Sequence, residues 1–280
     1  MRLFVFGLGY SAGVLARRLR ERGWRVDGTG RGGTIAFDDH AAVNAALRGA
    51  SHVLSSVPPG RDGADPVLVR YGAALRVAPA QQWIGYLSST GVYGDCGGAW
   101  VDETAPTGHG RRGARSEADL AWQALGARVF RLPGIYGPGR SAFDRLRDGT
   151  ARRLIAPGQV FSRVHVDDVA GGVIAGLAGP VGVYNLSDDE PCQANAVIEE
   201  AARLIGLAPP TMLPLDEAGL SAMARAFYGE NRRVANGKAW RVLGWRPRFP
   251  TYREGLRDLS ATTSPIIDST APPRLNTDQR

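Results

Sequence analysis

The segment LFVFGLGYSAGVLARRLRERGW, residues 3–24, decides the fold. It opens on four apolar residues, Leu3 to Phe6, which are typical of a strand buried on both faces. Gly7 and Gly9 follow, and apolar residues then recur among arginines with the spacing of an amphipathic helix. The segment therefore predicts a strand, a tight turn and a helix in direct succession.

The turn matches the fingerprint Gly-x-Gly-x-x-Ala of dinucleotide-binding proteins through Gly7, Gly9 and Ala12. Gly7 permits the tight turn, Gly9 has no side chain to hold off a pyrophosphate, and Ala12 lets the helix pack close to the strand. Free N–H groups at the helix start then face the phosphates. We predict cofactor contacts from these three residues and from Tyr10 and Ser11 between them.

Two other interpretations of this segment are a secretory signal and a purely structural glycine turn. Against a signal, three glycines dilute the apolar run, which passes directly into the charged helix ARRLRERG.

With only Cys96 and Cys192, the chain has no disulfide framework, and we expect a cytoplasmic protein. No apolar stretch reaches membrane-spanning length. The net charge of +7 is scattered, which favours anionic small molecules over nucleic acid.

The second strand, WRVDGT over residues 24–29, bears on the choice of cofactor. A site for NAD usually places Asp or Glu near the end of this strand, whereas this chain has Arg31 there and Asp27 too early. The planar guanidinium of Arg31 suits a 2′-phosphate, so NADP is predicted and NAD is less favoured. Arg31 as one more solvated arginine is the alternative. Asp38 either faces the adenine or caps a helix predicted over 41–48.

Strand-like and helix-like segments then alternate along the chain. Further strands are predicted over 52–57, 83–88, 127–132 and 182–186, and further helices over 66–78, 115–125, from 167, and over 194–206, 216–227 and 238–243. This alternation predicts an α/β fold with a doubly wound parallel sheet, the Rossmann fold. We expect a dinucleotide-binding domain over 1–260, with a small C-terminal α/β substrate subdomain formed mainly by 135–165 and 185–260. Residues 261–280, rich in Ser, Thr and Pro, predict a disordered tail.

Six segments together carry a family resemblance: GLGYSAG at 7–13, LSSTGVYGD at 87–95, FRLPGIYGPGR at 130–140, RVHVDDVA at 163–170, GVYNLSDDEP at 182–191 and LGWRPRFPTYREGL at 243–256. Over residues 1–259 the chain resembles the extended short-chain dehydrogenase/reductase family, also called the NAD-dependent epimerase/dehydratase family, and its small atypical members most. The resemblance implies an oxidoreductase or epimerase-like enzyme that moves hydride between NADP(H) and a hydroxyl or carbonyl substrate. It also implies a possible homodimer.

The resemblance assigns one catalytic side chain and leaves another open. In the family a Ser or Thr before the segment V-Y-G holds the substrate oxygen, and a Tyr-x-x-x-Lys pair supplies the acid and base. Ser89 matches the first position by its place before Tyr93, and Thr90 is the second choice. The ends of two other strands add the remaining predicted cofactor contacts: Ser55, Ser56 and Pro133.

The Tyr-Lys pair is missing, which makes the active site atypical. Aligning Glu117 with the family's glutamate places His109 at the tyrosine and Gly113 at the lysine, and Lys238 is the sole lysine. His109 is one candidate acid/base, since its ordinary pKa suits neutral pH. The lysine's charge would then come from one of three arginines: Arg111, Arg112 or Arg115.

Two further interpretations dispense with His109. The protein uses only the cofactor, Ser89 and a proton from substrate or water, or it is a non-catalytic NADP(H)-binding regulator. No metal is predicted, because His165, Asp167 and Asp168 lack a clear fourth ligand. Asp167 is instead predicted to cap the following helix. The expected partner is a small-molecule substrate that the sequence does not identify.

Overall fold

The computed structural model describes residues 1–60, 62–77, 82–108 and 113–262. Within these ranges the strands are β1 (Arg2–Phe6), β2 (Arg25–Gly28), β3 (His52–Ser55), β4 (Trp83–Ser89), β5 (Trp100–Val101), β6 (Arg128–Leu132), β7 (Gly134–Tyr136), β8 (Arg153–Ile155), β9 (Arg163–His165), β10 (Gly182–Asn185), β11 (Met212–Pro214) and β12 (Arg233–Val234). The helices are α1 (Tyr10–Arg20), α2 (His40–Gly49), α3 (Pro66–Arg76), α4 (Gly113–Ala124), α5 (Ala142–Arg147), α6 (Val166–Gly176), α7 (Ala194–Leu204), α8 (Ala222–Phe227), α9 (Gly237–Leu243) and α10 (Tyr252–Thr262). A 3₁₀ turn, Thr90–Tyr93, follows β4.

Six strands form a central sheet in the order β2–β1–β3–β4–β6–β10, and every neighbouring pair is parallel. In the register of β1, Phe4 stands opposite Asp27 on one side and Val53 on the other. The strand order reverses beside β1, since β2 lies on one side and all later strands of the sheet lie on the other. This confirms the predicted doubly wound α/β fold. In such sheets ligands bind in the crevice at the carboxyl ends of the strands where the order reverses.

The apolar run at the start of the chain is buried on both faces of this sheet. Leu3 and Val5 pack into one cluster with Leu15 of α1, while Phe4 and Phe6 pack into another. Each of these four strand residues is at most 1 % exposed. Burying a side chain of this size contributes roughly 1.5–3 kcal/mol to the stability of the fold. β1 therefore stabilises the hydrophobic clusters on both faces of the sheet.

Three helices outside the central sheet, α5, α7 and α10, form a smaller unit with a hydrophobic core of its own. A third hydrophobic cluster joins α5, α7 and α10 through Phe143, Ala201, Tyr252 and Leu256. Two short parallel pairs, β7 with β9 and β8 with β11, belong to the same part of the chain. This unit supplies one wall of the clefts at the candidate site.

Most helix ends lie within two residues of the predictions, and two differences need a separate account. The helix predicted over 216–227 begins only at Ala222, because the Ser221 side chain caps it by accepting from the backbone N–H of Ala224. At the C-terminal end, α10 includes the first two residues of the predicted tail, since it runs to Thr262. The rest of that tail, residues 263–280, lies outside the described residues.

Two helix caps fall on neighbours of the predicted residues. Asp39, rather than Asp38, caps α2 by accepting from the N–H of Ala42 at 3.0 Å. His165, rather than Asp167, caps α6, because its Nδ1 accepts from the N–H of Asp167. Burial lowers the pKa of His165, which keeps the ring neutral and its Nδ1 available as an acceptor. The carboxylate of Asp167 instead pairs with Arg18 at 2.7 Å and so ties α6 to α1.

Candidate cofactor and substrate site

The glycine loop lies at the carboxyl end of β1. Glycine suits its two positions, Gly7 and Gly9, for different physical reasons. Gly7 has φ +81°, and a Cβ placed there would lie 2.8 Å from Cγ2 of Val57. The fold itself therefore requires glycine at this position. A Cβ on Gly9 would meet only the carbonyl oxygen of Gly7, at 3.9 Å. The space in front of Gly9 is open, as a bound pyrophosphate requires.

The first turn of α1 faces this open space without a side-chain cap. Gly9 is the N-cap residue, and the first turn contains no acidic side chain. The N–H groups of Tyr10, Ser11 and Ala12 have no intrahelical acceptor, as at any helix start. They add to the positive end of the helix dipole, and the helix start is thus suited to phosphate oxygens.

The loop after β2 is bonded to the glycine loop and carries Arg31. Gly7 donates its N–H to Oγ1 of Thr29 at 3.2 Å, and Gly32 donates to the carbonyl of Leu8 at 3.0 Å. Arg31 between these contacts is exposed, and it makes no hydrogen bond or ion pair with a residue of the described ranges. An unpaired guanidinium thus stands beside the crevice where β2 ends.

Three other predicted cofactor residues have structural partners. The Ser56 hydroxyl donates to the carbonyl of Gly7, while Ser55 is fully buried. The carboxylate of Asp38 pairs with Arg70 beside the ring of Phe37. Ser56 therefore supports the glycine loop from β3, and Asp38 is attached to α3.

Tyr10 connects the start of α1 to the smaller unit. Its hydroxyl donates to the carbonyl of Pro138 at 3.1 Å, and its ring lies 4.9 Å from the guanidinium carbon of Arg140. Burial raises the pKa of Tyr10, so the phenol stays protonated. This contact brings the cation of Arg140 towards the glycine loop.

Ser89 and Pro133 lie in a cleft at the carboxyl ends of β4 and β6. This inner cleft has a volume of about 210 Å³ and continues into residues of the smaller unit, including Phe227 and Arg232. The Ser89 oxygen accepts the N–H of Gly91 at 3.1 Å. Among the described residues the Ser89 hydroxyl has no acceptor for its own proton, so that proton can point at a substrate oxygen.

Arg232 is a cleft residue that the sequence analysis missed. Its Nη1 donates to the carbonyl of Gly94 at 2.6 Å and to Glu230 at 3.0 Å. A Cβ atom built on Gly91 would lie 4.0 Å from Nη2 of Arg232 and 3.2 Å from the Ser89 oxygen. The guanidinium is thus held in place, and both Arg232 and Ser89 line the inner cleft. No local pattern separates this arginine from the many others in the chain.

A wider outer cleft, of about 830 Å³, adjoins the inner one and shares Phe161, Ser162 and Phe227 with it. Its two aspartates serve local structure: Asp144 accepts from Ser141 in a capping box, and Asp148 accepts from the hydroxyl of Thr150. Its four arginines give it positive character: Arg140, Arg145, Arg152 and Arg163.

A buried polar network lies behind Ser89. Arg131 of β6 makes two hydrogen bonds to Asp119 of α4, at 2.8 and 3.1 Å, and donates to the Tyr93 hydroxyl at 2.9 Å. Tyr93 donates to Oδ1 of Asn185 at 2.8 Å, and burial raises its pKa. Tyr93 is therefore a structural phenol. The buried carboxylate of α4 is Asp119, whereas Glu117 lies on the exposed face.

The candidates for the missing acid/base pair are only partly located. His109, Arg111 and Arg112 lie outside the described residues. Arg115 lies beside the Tyr86 phenol, whose pKa is raised by burial. The ammonium of Lys238 lies 5.2 Å from the ring centroid of Tyr184, and this lysine lines neither cleft.

Asp168 serves the structure of α6. Its two carboxylate oxygens accept the N–H groups of Arg248 and Phe249, at 2.6 and 3.2 Å. In the described ranges no group of three His, Cys, Asp or Glu side chains could hold a metal ion. None of the helices of this part of the chain is both long enough and apolar enough to cross a membrane.

The buried Asp168 carboxyl should make stability depend on pH. Burial raises its pKa from 3.8 to about 6, so the folded protein binds this proton more tightly than the unfolded chain does. Its contribution is therefore fully present below pH 4 and is lost as the pH rises through 6. Asp168→Asn should flatten this fall, which amounts to up to about 3 kcal/mol. Urea unfolding of both proteins between pH 4 and 7 measures it, and identical pH profiles would contradict the assignment.

Comparison with solved structures shows which known proteins share this fold. The human epimerase family protein SDR39U1, solved with NADPH, has a TM-score of 0.74 at 19 % identity, covering 93 % of this chain and 99 % of that one. The dTDP-glucose 4,6-dehydratase of Bacillus anthracis, solved with NAD, has a TM-score of 0.73 at 15 % identity over 93 % and 96 %. The predicted resemblance is confirmed, because the chain has the fold of the extended short-chain dehydrogenase/reductases.

A more similar protein defines the narrower group. A conserved protein of unknown function from Silicibacter pomeroyi is 45 % identical, with a TM-score of 0.84, and the match covers 93 % of this chain and 98 % of that one. The chain belongs to the same family as this Silicibacter protein.

Sequence comparison adds one curated relative. No family model matches the chain. A 3-diazoavenalumate denitrifying reductase from a Streptomyces species is 33 % identical over an alignment of 158 residues, and the match covers 51 % of this chain. The match spans half the length of that reductase.

Proposed function

We propose that the protein binds a nicotinamide dinucleotide, with NADP(H) preferred over NAD(H), and moves hydride between it and a hydroxyl or carbonyl substrate. The observation that carries this proposal is the open space in front of Gly9. This space lies where the strand order of the sheet reverses, and before the start of α1, which has no side-chain cap. The names of the relatives support it, since two were solved with NADPH or NAD and a third is a reductase.

The residues of this chain divide the work as follows. The first-turn N–H groups of α1 hold the diphosphate, and Arg31 faces the ribose phosphate. When bound, the nicotinamide supplies the hydride chemistry. Ser89 donates a hydrogen bond to the substrate oxygen and holds it in the inner cleft. The proton comes from His109 or from a water or substrate group.

A second candidate function is a non-catalytic sensor of NADP(H). One observation favours it: the only lysine of the chain packs on Tyr184, so that no lysine stands at the inner cleft. Both candidates share the cofactor site and differ only in turnover.

Titration of the purified protein with NADPH and with NADH, followed by nicotinamide fluorescence, tests the shared part first. Saturable binding with preference for NADPH is expected. Absence of binding of either dinucleotide would overturn both candidates. A panel of carbonyl substrates, followed by loss of NADPH absorbance, then separates the enzyme from the sensor.

Arg31→Ala should weaken NADPH binding about tenfold or more and leave NADH binding nearly unchanged. The reason is that charge-assisted hydrogen bonds to the 2′-phosphate contribute about 1.5–3 kcal/mol, and NADH lacks this phosphate. The same fluorescence titration measures both affinities. Arg22→Ala, an exposed arginine at the far end of α1, is the matched control and should change neither. Equal losses for the two dinucleotides would remove Arg31 from the assignment.

A further inference from the structure

Two aromatic side chains, Phe161 and Phe227, form an aromatic wall shared by the two clefts, and Tyr228 of the outer cleft packs against them. The rings of Phe161 and Phe227 are stacked, with centroids 4.8 Å apart and planes 3° from parallel. Tyr228 meets Phe161 edge-on at 5.4 Å. Phe227 nevertheless remains 44 % exposed, although it lines both the inner and the outer cleft. An aromatic face left open at a cleft is a place for a second flat ring.

The inner cleft also presents hydrogen-bond donors that are held in place. Arg232 is 13 % exposed, and its Nη1 is fastened by Gly94 and Glu230, so that Nη2 is held near Ser89 at little further cost in side-chain entropy. A guanidinium has N–H donors and no acceptor, so Arg232 acts here as a hydrogen-bond donor. Ser89 and Arg232 both line the inner cleft, which therefore presents two hydrogen-bond donors to a ligand.

The size of the inner cleft limits what lies between the aromatic wall and these donors. Its volume is about 210 Å³. An apolar cavity of about 150 Å³ is enough to bind benzene. The inner cleft therefore has room for one six-membered ring with a small polar substituent, and any larger group extends into the outer cleft.

We propose that the inner cleft takes a single-ring aromatic carbonyl compound, with its ring on Phe227 and its carbonyl oxygen between Ser89 and Arg232. This inference rests on the proposed function and names the substrate class. Reduction forms a C–H bond at the carbonyl carbon, shifts the π electron pair to oxygen and oxidises NADPH to NADP⁺. The alkoxide then takes a proton from water. Donors held in place where this negative charge develops stabilise the transition state.

Binding of benzamide to the full-length protein tests the proposal, with and without NADPH. Benzamide has the ring and the carbonyl but resists reduction, so that binding is measured without turnover. Cyclohexanecarboxamide is the matched probe without an aromatic face. Calorimetry or saturation-transfer NMR should show benzamide binding about fivefold tighter. Equal affinities, or no binding of benzamide, would overturn the proposal.

Two variants assign the contacts. Phe227→Leu should abolish the preference for benzamide, and Arg232→Gln should weaken benzamide about tenfold. Arg48→Gln, an exposed arginine of α2, should change nothing. Since Arg232→Gln leaves Glu230 without this partner, Arg232→Gln/Glu230→Gln provides a second variant, with folding checked by circular dichroism. Unchanged benzamide binding in folded variants would contradict the proposal.

The same samples separate the two levels of inference. A protein that binds NADPH but does not distinguish the two amides retains the proposed function and loses the aromatic substrate class. A protein that binds neither dinucleotide loses the proposed function. In that case benzamide binding to the cofactor-free protein still decides whether the cleft is built for an aromatic ring.

Discussion

Gly9→Val is expected to reduce NADPH binding by about a hundredfold or more and to leave the fold intact. The backbone at Gly9 has φ −102° and ψ −152°, an extended conformation with negative φ that does not require glycine. Within 4 Å, a Cβ there meets only the carbonyl oxygen of Gly7, at 3.9 Å. The branched side chain would fill the space before α1 and deny several charge-assisted hydrogen bonds to the diphosphate.

Nicotinamide fluorescence gives the affinity of Gly9→Val, and thermal unfolding followed by circular dichroism reports whether it folds. Gly13→Ala is the matched control, because a Cβ at this helical glycine meets nothing within 4 Å. It should keep NADPH binding and gain about 0.5–1 kcal/mol of stability. A folded Gly9→Val protein with unchanged affinity would contradict the fingerprint interpretation.

Arg131→Met is expected to lower the free energy of unfolding by about 3–5 kcal/mol. Arg131 and Asp119 are both buried, at 3 % and 1 % side-chain exposure, and the substitution leaves a charged carboxylate without its cation in the core. The double variant Arg131→Met/Asp119→Leu should recover most of this loss, because it removes both charges. Urea unfolding measured by circular dichroism gives the three free energies.

An exposed ion pair supplies the comparison. Arg2 and Asp27 are 3.1 Å apart, but their side chains are 40 % and 35 % exposed. Solvent screening makes such a pair weak, so Arg2→Met should change stability by less than about 1 kcal/mol. Similar losses for Arg2→Met and Arg131→Met would show that burial is not the cause.

The sequence predicts the central sheet because each of its strands has a local signal. β1 is a continuous apolar run, which is the pattern of a strand covered on both faces, and the glycine loop directly follows it. The pairs β5–β12 and β8–β11 have no such signal. They are two or three residues long and join positions far apart in the chain, such as Trp100 and Arg233. Tertiary packing alone defines them.

The residues of the candidate site likewise include some with a local sequence signal and some without one. Gly7, Gly9 and Ser89 follow strands with clear patterns, so position alone predicts where they lie. Arg232 comes from a distant segment and enters the cleft only through the fold. The sequence also does not determine which aspartate caps α2. Asp38 and Asp39 are chemically equivalent as caps, and the ion pair of Asp38 with Arg70 leaves Asp39 as the cap.

The two hydroxyls that hold Gly7 have a consequence for engineering. Thr29 accepts its N–H and Ser56 donates to its carbonyl, so the loop is braced from β2 and β3 before any ligand arrives. A preorganised loop loses little conformational freedom on binding. Arg31 takes no part in this bracing. Overall affinity and the choice between the two dinucleotides are therefore separable properties. Residue 31 can be redesigned for NADH without disturbing the hydrogen bonds that hold the glycine loop.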